Sequence, residues 1–190
     1  MRKIISFMHI SLDGFVAGPN GEMGWIKVDE EIFDYVGQRI GKGDTALYGR
    51  VTYEMMESYW PTAGSKPTAS RHDIEHSKWY SQVHKVVLSK TINDTGLANT
   101  TIIGGDVSSR IHEIKQQAGE DILLFGSPTA THSLIQLGLI DGYWLFVNPI
   151  VLGQGIPLFV DIKDKIKLKL LTTRQFTSGV TELNYLVDKP

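Results

Sequence analysis

The sequence predicts an α/β protein with a central, mostly parallel sheet, and two features of the chain support this prediction. Short, nearly continuous runs of Ile, Val, Leu and Phe, typical of buried parallel strands, alternate with amphipathic stretches of helical length. This alternation indicates parallel strands joined by right-handed crossover helices. Toward the carboxyl end the pattern changes to two alternating strands around Ser178 and Gly179, which predict an antiparallel hairpin on the same sheet.

The individual elements follow from these patterns. Strands are predicted at residues 3–9, 45–48, 85–88, 101–103, 122–125, 143–147, 167–176 and 181–187. Helices are predicted at residues 30–40, 108–118 and 127–137, with Asp29 and Asp106 as N-caps of the first two and Gly138 ending the third. Residues 61–71, rich in Pro, Gly and Ser, are expected to form a surface connection. All 190 residues are expected to fold as a single domain.

Composition excludes several classes of function. The chain has no cysteine, which excludes disulfides, Cys-ligated metal sites and thiol catalysis. Its net charge of −2 argues against nucleic acid as a partner, because phosphate binding requires a basic surface. The basic run at residues 163–169 alternates Lys with Ile and Leu, as the solvated face of an edge strand does. With no signal peptide and no run long enough to span a bilayer, we expect a cytoplasmic protein without membrane partners.

The first candidate binding feature is the strand–turn–helix junction in TALYGRVTYE. A buried strand ends at Gly49 and a helix is expected to begin within two residues. Gly49 would let a phosphate approach the backbone, Arg50 supplies a bidentate cation, and Thr52 places a hydroxyl in the first helical turn. In α/β proteins ligands bind beyond the carboxyl ends of strands, where helix N-termini offer free N–H groups. This junction is therefore a candidate phosphate site.

A second junction of the same kind occurs in ILLFGSPTAT. Gly126 follows a strand, Ser127 has the composition of an N-cap, and Pro128 suits the first helical position. With Thr129 it forms a second candidate phosphate site, and a dinucleotide needs two anchoring points. A third glycine turn, at residues 104–106, is interpreted as only a bend before a helix. The chain lacks both GxGxxG and the lysine of a P-loop, so a Rossmann dehydrogenase or a P-loop NTPase is not expected.

The order of these motifs resembles a known superfamily. SLDGFVAG, MGW, LYGRVTYE, KVVLSK and LLFGSPTATHSLIQLGLIDGYWLFVNPIVLGQGIPLF follow one another as in the dihydrofolate reductase-like fold. SLDG and NPIVLGQGIPLF are similar to the RibD C-terminal family, the reductase domain of riboflavin biosynthesis. The resemblance covers nearly the whole chain. It departs from the family at the second junction, where the usual Gly-Gly pair is replaced by Gly126 and Ser127.

The resemblance implies a three-layer fold with about eight strands, NADPH as cofactor, and hydride transfer to a small polar heterocycle such as a 5-amino-6-(5-phosphoribosylamino)uracil-like compound. It places Ser89 and Lys90 near the adenosine 2′-phosphate, with the two junctions holding the other phosphates. It also implies a homodimer, for which the apolar segment at residues 149–159 is a candidate contact; packing within its own domain is the alternative. Reduction of a pterin, as in a true dihydrofolate reductase, and a non-catalytic dinucleotide-binding protein of this fold remain alternatives.

Acidic residues are candidates for substrate contact or proton supply. Asp13 lies in a strand-end turn at the expected cofactor edge, although Asp-Gly also makes such a turn without any further role. In dihydrofolate reductases an acid at the start of the first helix binds the pterin, and the register here allows either Asp29 or Glu30. Helix capping explains a carboxylate at this position equally. Trp25 is a candidate wall of the nicotinamide pocket or an ordinary core aromatic.

The histidines predict no metal site. His72 and His76 are four residues apart and could share one helical face, but no third ligand accompanies them, so an exposed helix face is the preferred interpretation. His9 ends the first strand near the expected cleft, where a hydrogen-bonded strand-end role explains it equally well.

Overall fold

A computed structural model describes residues 1–92 and 96–189, and it contains one large sheet of eight strands. The ten strands of these residues are β1 (Ile4–Ser11), β2 (Phe15–Ala17), β3 (Thr45–Gly49), β4 (His84–Leu88), β5 (Thr100–Ile103), β6 (Ile122–Phe125), β7 (Gly142–Asn148), β8 (Ile156–Pro157), β9 (Leu168–Gln175) and β10 (Thr181–Val187). The five helices are α1 (Glu30–Ile40), α2 (Arg50–Ala63), α3 (Arg71–Gln82), α4 (Val107–Gln116) and α5 (Pro128–Gln136).

The strand order of the large sheet is β5-β4-β3-β6-β1-β7-β10-β9. Pairing is parallel from β5 to β7, whereas β10 runs antiparallel to both β7 and β9. Gly179 at φ +85° makes the turn of the carboxyl-terminal hairpin, since this left-handed conformation favours glycine. The predicted mixed, mostly parallel sheet with its antiparallel hairpin is therefore confirmed.

Helices cover both faces of the sheet and give the fold its three layers. Buried residues of α1, α2 and α3, such as Ile32, Tyr53 and Tyr80, belong to one core cluster. Buried residues of α4 and α5, such as Ile111 and Leu134, belong to a second cluster on the opposite face. Successive residues of β1 alternate between these clusters, as the period of a strand requires. The packing thus sets α2 and α5 on opposite faces, although the strands that precede them are neighbours.

Several local predictions need correction. The connection predicted from residue 61 begins later, because α2 runs through Pro61 to Ala63, where Trp60 packs on His76 at 4.0 Å between ring centroids. His72 stacks on Phe33 of α1 at 3.9 Å, so the exposed helix face predicted for the two histidines is wrong. Both rings are partly buried by aromatic packing between helices.

The predicted helix caps are confirmed only in part. Asp29 caps α1 through a 2.9 Å bond from the Ile32 N–H to its carboxylate, as predicted. Asp106 precedes α4 in a left-handed conformation, and its side chain makes no cap bond. It therefore lies at the predicted N-cap position without capping the helix through its carboxylate, because at φ +44° the residue does not have the extended backbone of a capping residue. Gly138 follows the end of α5 with φ +67°, as predicted.

Candidate functional site

The main cavity opens where β3 and β6 lie side by side and send their helices to opposite faces of the sheet. Such a switch point is where open α/β sheets bind ligands. The cavity has a volume of about 580 Å³. It is lined by the starts of α2 and α5, by the ends of β4 and β5, and by the turns that follow these strands. Both predicted junctions therefore border one cavity.

The two junctions are in direct contact with each other. A Cβ atom added to Gly49 would lie 3.3 Å from the Ala130 Cβ and 3.4 Å from the Ser127 Cβ. A Cβ on Gly126, which has φ +51°, would lie 3.6 Å from a methyl carbon of Thr52. The absent side chain of Gly49 thus permits close approach of α5. The two anchors expected from the sequence form a single cradle.

Ser127 joins the two sides of this cradle. Its Oγ accepts a hydrogen bond from the Gly49 N–H at 2.8 Å and donates one to the Phe125 carbonyl at 3.0 Å. The side chain is buried, and the residue has a left-handed backbone with φ +58°. It makes no cap bond to α5. Ser127 therefore lies at the predicted N-cap position of α5, but its hydroxyl bonds to the neighbouring junction instead of capping the helix.

The amide groups available to an anion are those of the first helical turns. The first N–H groups of a helix have no partner within it and carry the positive end of the helix dipole. In α2 these belong to Arg50, Val51 and Thr52. In α5, Pro128 has no N–H, so the first amide of the helix itself is that of Thr129. Both groups of amides border the cavity, which makes its floor suited to a pyrophosphate.

Cationic side chains stand at the rim. Arg50 donates to both carboxylate oxygens of Glu54, at 3.0 and 3.2 Å, and remains exposed. Lys90 lines the cavity and is also exposed. The Ser89 hydroxyl is buried and accepts from the N–H groups of Thr91 and Ile92, at 3.2 and 3.0 Å. Ser89 therefore shapes the turn that presents Lys90.

Two features of this cavity were not predicted from the sequence. Thr91 is an exposed residue that lines it, with its hydroxyl 3.4 Å from that of Ser89. Leu88, Ile103 and Val107 form an apolar part of its wall beside Gly104, so the third glycine turn belongs to the site rather than serving only as a bend. A Cβ on Gly104 would lie 3.3 Å from the Ser89 carbonyl oxygen. The sequence could have indicated this role, because the turn also follows a strand of the same sheet.

Asp13 lies in the turn after β1, where hydrogen bonds fix its carboxylate. Its carboxylate accepts from the Ser11 hydroxyl at 2.6 Å and from the N–H groups of Leu152 and Gly153 at 3.1 and 2.8 Å. The bond from Ser11, followed by those from Gly153 and Leu152, lowers the pKa of Asp13 to about 2. The residue is therefore ionised at neutral pH and fastens the loop after β7 to the turn after β1.

The other candidates at this edge lie outside the main cavity. Asp29 is occupied by its cap bond, and Glu30 is exposed. Glu31, the next residue of α1, accepts from the Thr177 N–H at 3.0 Å and pairs with Arg174 at 3.2 Å. Trp25 is partly buried and donates its indole N–H to the Glu22 carbonyl at 3.0 Å. The acidic residues at the start of α1 are thus engaged in structure or directed to solvent.

Two classes of site are absent from the described part of the chain. Within residues 1–92 and 96–189, no group of three or more His, Asp or Glu side chains could hold a metal ion. None of the helices in these same residues is both long and apolar enough to cross a membrane.

Two proteins of Bacillus subtilis are similar in sequence to this chain over nearly its whole length. The chain is 36% identical over 188 residues to Bacillus subtilis (strain 168) protein YyaP, covering 97% of this chain and 94% of that one. It is 27% identical over 190 residues to YwjB of the same strain, covering 97% and 98%. These two relatives are described as uncharacterised.

Solved structures share the fold at low identity. RibD of Acinetobacter baumannii superposes with a TM-score of 0.69 at 18% identity, covering 98% of this chain and 58% of that one. A dihydrofolate reductase from Enterococcus faecalis, in complex with NADP(H), superposes with a TM-score of 0.60 at 14% identity, covering 98% and 97%. These likenesses show the dihydrofolate reductase-like fold. The family model described as RibD C-terminal domain matches residues 2–181. The chain therefore belongs to the RibD C-terminal domain family.

Proposed function

We propose that the protein is an NADPH-dependent reductase that transfers a hydride to a small polar heterocycle, of the kind represented by 5-amino-6-(5-phosphoribosylamino)uracil. The observation that carries this proposal is the single cradle formed by the two junctions, with free amides at its floor and cations at its rim. Membership of a family of RibD-like reductases supports the same reaction class. We extend the proposal to a cytoplasmic homodimer.

The residues of the cavity fit each part of the dinucleotide. The amides that begin α2 and α5 would hold the pyrophosphate, together with the hydroxyls of Thr52 and Thr129. Arg50 and Lys90 would pair with the adenosine 2′-phosphate, which distinguishes NADPH from NADH. The apolar wall formed by Leu88, Ile103 and Val107 would bind the adenine ring.

The chemistry divides between cofactor and chain. Bound NADPH supplies the hydride, and the protein supplies binding, orientation and exclusion of water. Asp13 contributes by fixing the loop after β7, not by donating a proton, because it remains ionised. In this proposal Asp13 therefore has a structural role and not a catalytic one.

Titration with NADPH and NADH by calorimetry tests the proposal. Arg50→Ala should weaken NADPH binding about tenfold or more, since a charge-assisted bond contributes about 1.5–3 kcal/mol, and should weaken NADH binding much less. Arg110→Ala is a matched control, because Arg110 is an exposed arginine paired within α4. Absence of NADPH binding at millimolar concentration would refute the proposal, and equal losses for both nucleotides would refute the 2′-phosphate role.

Reduction of a pterin is the weaker alternative. The carboxylate of Asp29 is engaged in helix capping and Glu30 is exposed, so neither acid is positioned to bind a pterin ring. Turnover of dihydrofolate with NADPH, followed by absorbance, would reverse this ranking. Cofactor binding without turnover on any uracil, pterin or flavin would favour a non-catalytic binding protein.

A further inference from the structure

His9 lies outside the cofactor cavity, on the face of the sheet that α1 covers. It is two residues from the carboxyl end of β1, the central strand between β6 and β7. Its imidazole stacks on Phe146 with centroids 5.0 Å apart and meets Phe7 edge-on at 5.9 Å. Burial lowers the pKa of His9 to about 4, so the ring is neutral at physiological pH.

The hydrogen-bond network fixes which ring nitrogen carries the proton. Asn148 is fully buried, and its carbonyl oxygen accepts from the Lys27 N–H at 2.8 Å. Its amide nitrogen is therefore the donor, and it lies within reach of the Phe146 carbonyl at 3.1 Å, the Ile10 carbonyl at 3.4 Å and His9 Nδ1 at 3.5 Å. Because Nδ1 faces a donor, it acts as an acceptor, and the neutral imidazole carries its hydrogen on Nε2. Asn148 thus acts as a positioning residue for His9.

The described residues leave the Nε2–H donor unused. Among residues 1–92 and 96–189, no hydrogen-bond partner reaches His9 Nε2, and the side chain remains partly exposed. Because the side chain is partly exposed, this donor is open to solvent and to a ligand. Its position near the carboxyl edge of the sheet is where this class of fold receives ligands. These observations together indicate a ligand acceptor atom at this point.

We propose that His9 is a substrate-binding residue whose Nε2–H donates to a carbonyl oxygen or ring nitrogen of a flat, uncharged heterocycle. This inference rests on the proposed reductase function and specifies its substrate class. The aromatic rings of Phe7 and Phe146 favour an uncharged group, because desolvating a charge beside them is unfavourable. A substrate that presented an N–H at this point would face the imidazole N–H and be rejected.

The first test reads the tautomer directly in the unliganded protein. Long-range ¹H–¹⁵N NMR of the imidazole ring should show the Nε2–H tautomer of His9 in the wild type. Asn148→Ala should abolish that preference. A dominant Nδ1–H tautomer in the wild-type protein would overturn the proposal, independently of any ligand.

The second test measures binding of 5,6-diaminouracil to the NADP⁺-bound protein by calorimetry. His9→Phe keeps the ring stacked on Phe146 but removes the donor, and should weaken binding about fivefold. His9→Gln restores an N–H donor and should recover most of this loss, while His112→Phe, on an exposed part of α4, should change nothing.

The NADPH dissociation constant separates this proposal from the function on which it rests. It should stay within about twofold of the wild type in all three variants. Unchanged uracil binding in His9→Phe, or no uracil binding by a wild type that binds NADPH, would overturn the role of His9 alone. Failure of the wild type to bind NADPH would instead overturn the reductase proposal.

Discussion

Replacing Ser127 by alanine tests the cradle most sharply. The substitution removes the acceptor of the Gly49 N–H and the donor to the Phe125 carbonyl, while the backbone must stay at φ +58°. A buried donor left unsatisfied costs about 1–3 kcal/mol, and the second bond contributes about 1 kcal/mol. We therefore expect Ser127→Ala to lower the free energy of unfolding by about 2–4 kcal/mol. For a chain of this length that corresponds to a fall in Tm of roughly 4–16 °C.

Glycine at the same position separates hydrogen bonding from backbone strain. Ser127→Gly loses the same two bonds but adopts the left-handed conformation without the penalty of about 1–2 kcal/mol that a Cβ incurs. It should therefore be more stable than Ser127→Ala by about 1 kcal/mol, although glycine gains freedom in the unfolded chain.

Urea unfolding of both variants is the assay, with Ser81→Ala as control because the exposed Ser81 hydroxyl bonds only within its own helix. The control should remain within about 0.5 kcal/mol of the wild type. The reasoning fails if Ser127→Ala is as stable as the control, or if the glycine variant is the less stable of the two. The first result would mean that the bond to Gly49 does not couple the junctions, and the second that the left-handed backbone at Ser127 carries no strain.

Three further outcomes are expected. Glu54→Gln should free Arg50 and tighten NADPH binding about two- to fivefold in calorimetry, as expected for breaking an exposed ion pair; weaker binding would contradict this. The pKa values of His9 and His76 are lowered by burial to about 4 and 3, so the unfolded chain takes up protons first as the pH falls below about 6.5. Stability in urea should therefore fall by about 4 kcal/mol from pH 7.5 to 5, and a flat profile would exclude neutral buried rings. For the proposed homodimer, Val151→Asp, at a position 65% exposed in the chain, should give a monomer in light scattering; an unchanged dimer would place the interface elsewhere.

The strands of the large sheet could be predicted because each carries its own local signal. All eight strands of that sheet coincide with predicted apolar or alternating runs, and β6 and β10 match at both ends. The two-residue β8, which pairs with β2, was missed because so short a strand has no period to detect. α3 was obscured by its polar sequence, since the side chains that pack its inner face are His72, His76, Trp79 and Tyr80 rather than aliphatic residues.

The candidate site was predictable only in part. Glycine followed by a helix start identified Arg50 and Thr52, because those features are contiguous in sequence. The bond between Gly49 and Ser127 joins residues 78 apart and exists only because β3 and β6 are neighbours in the sheet. Local propensity therefore assigned the Ser127 hydroxyl to its own helix, where a serine most often bonds.

Amide chemical shifts during an NADPH titration provide the most direct measurement of the central claim. The account expects the largest changes in ¹H–¹⁵N spectra at the start of α2, in the turn after β4 and at the start of α5, and therefore at Arg50, Thr52, Lys90 and Thr129. Both junctions should respond together with one dissociation constant, because they form one cradle. Shifts confined to another part of the molecule, or none at millimolar NADPH, would contradict the account.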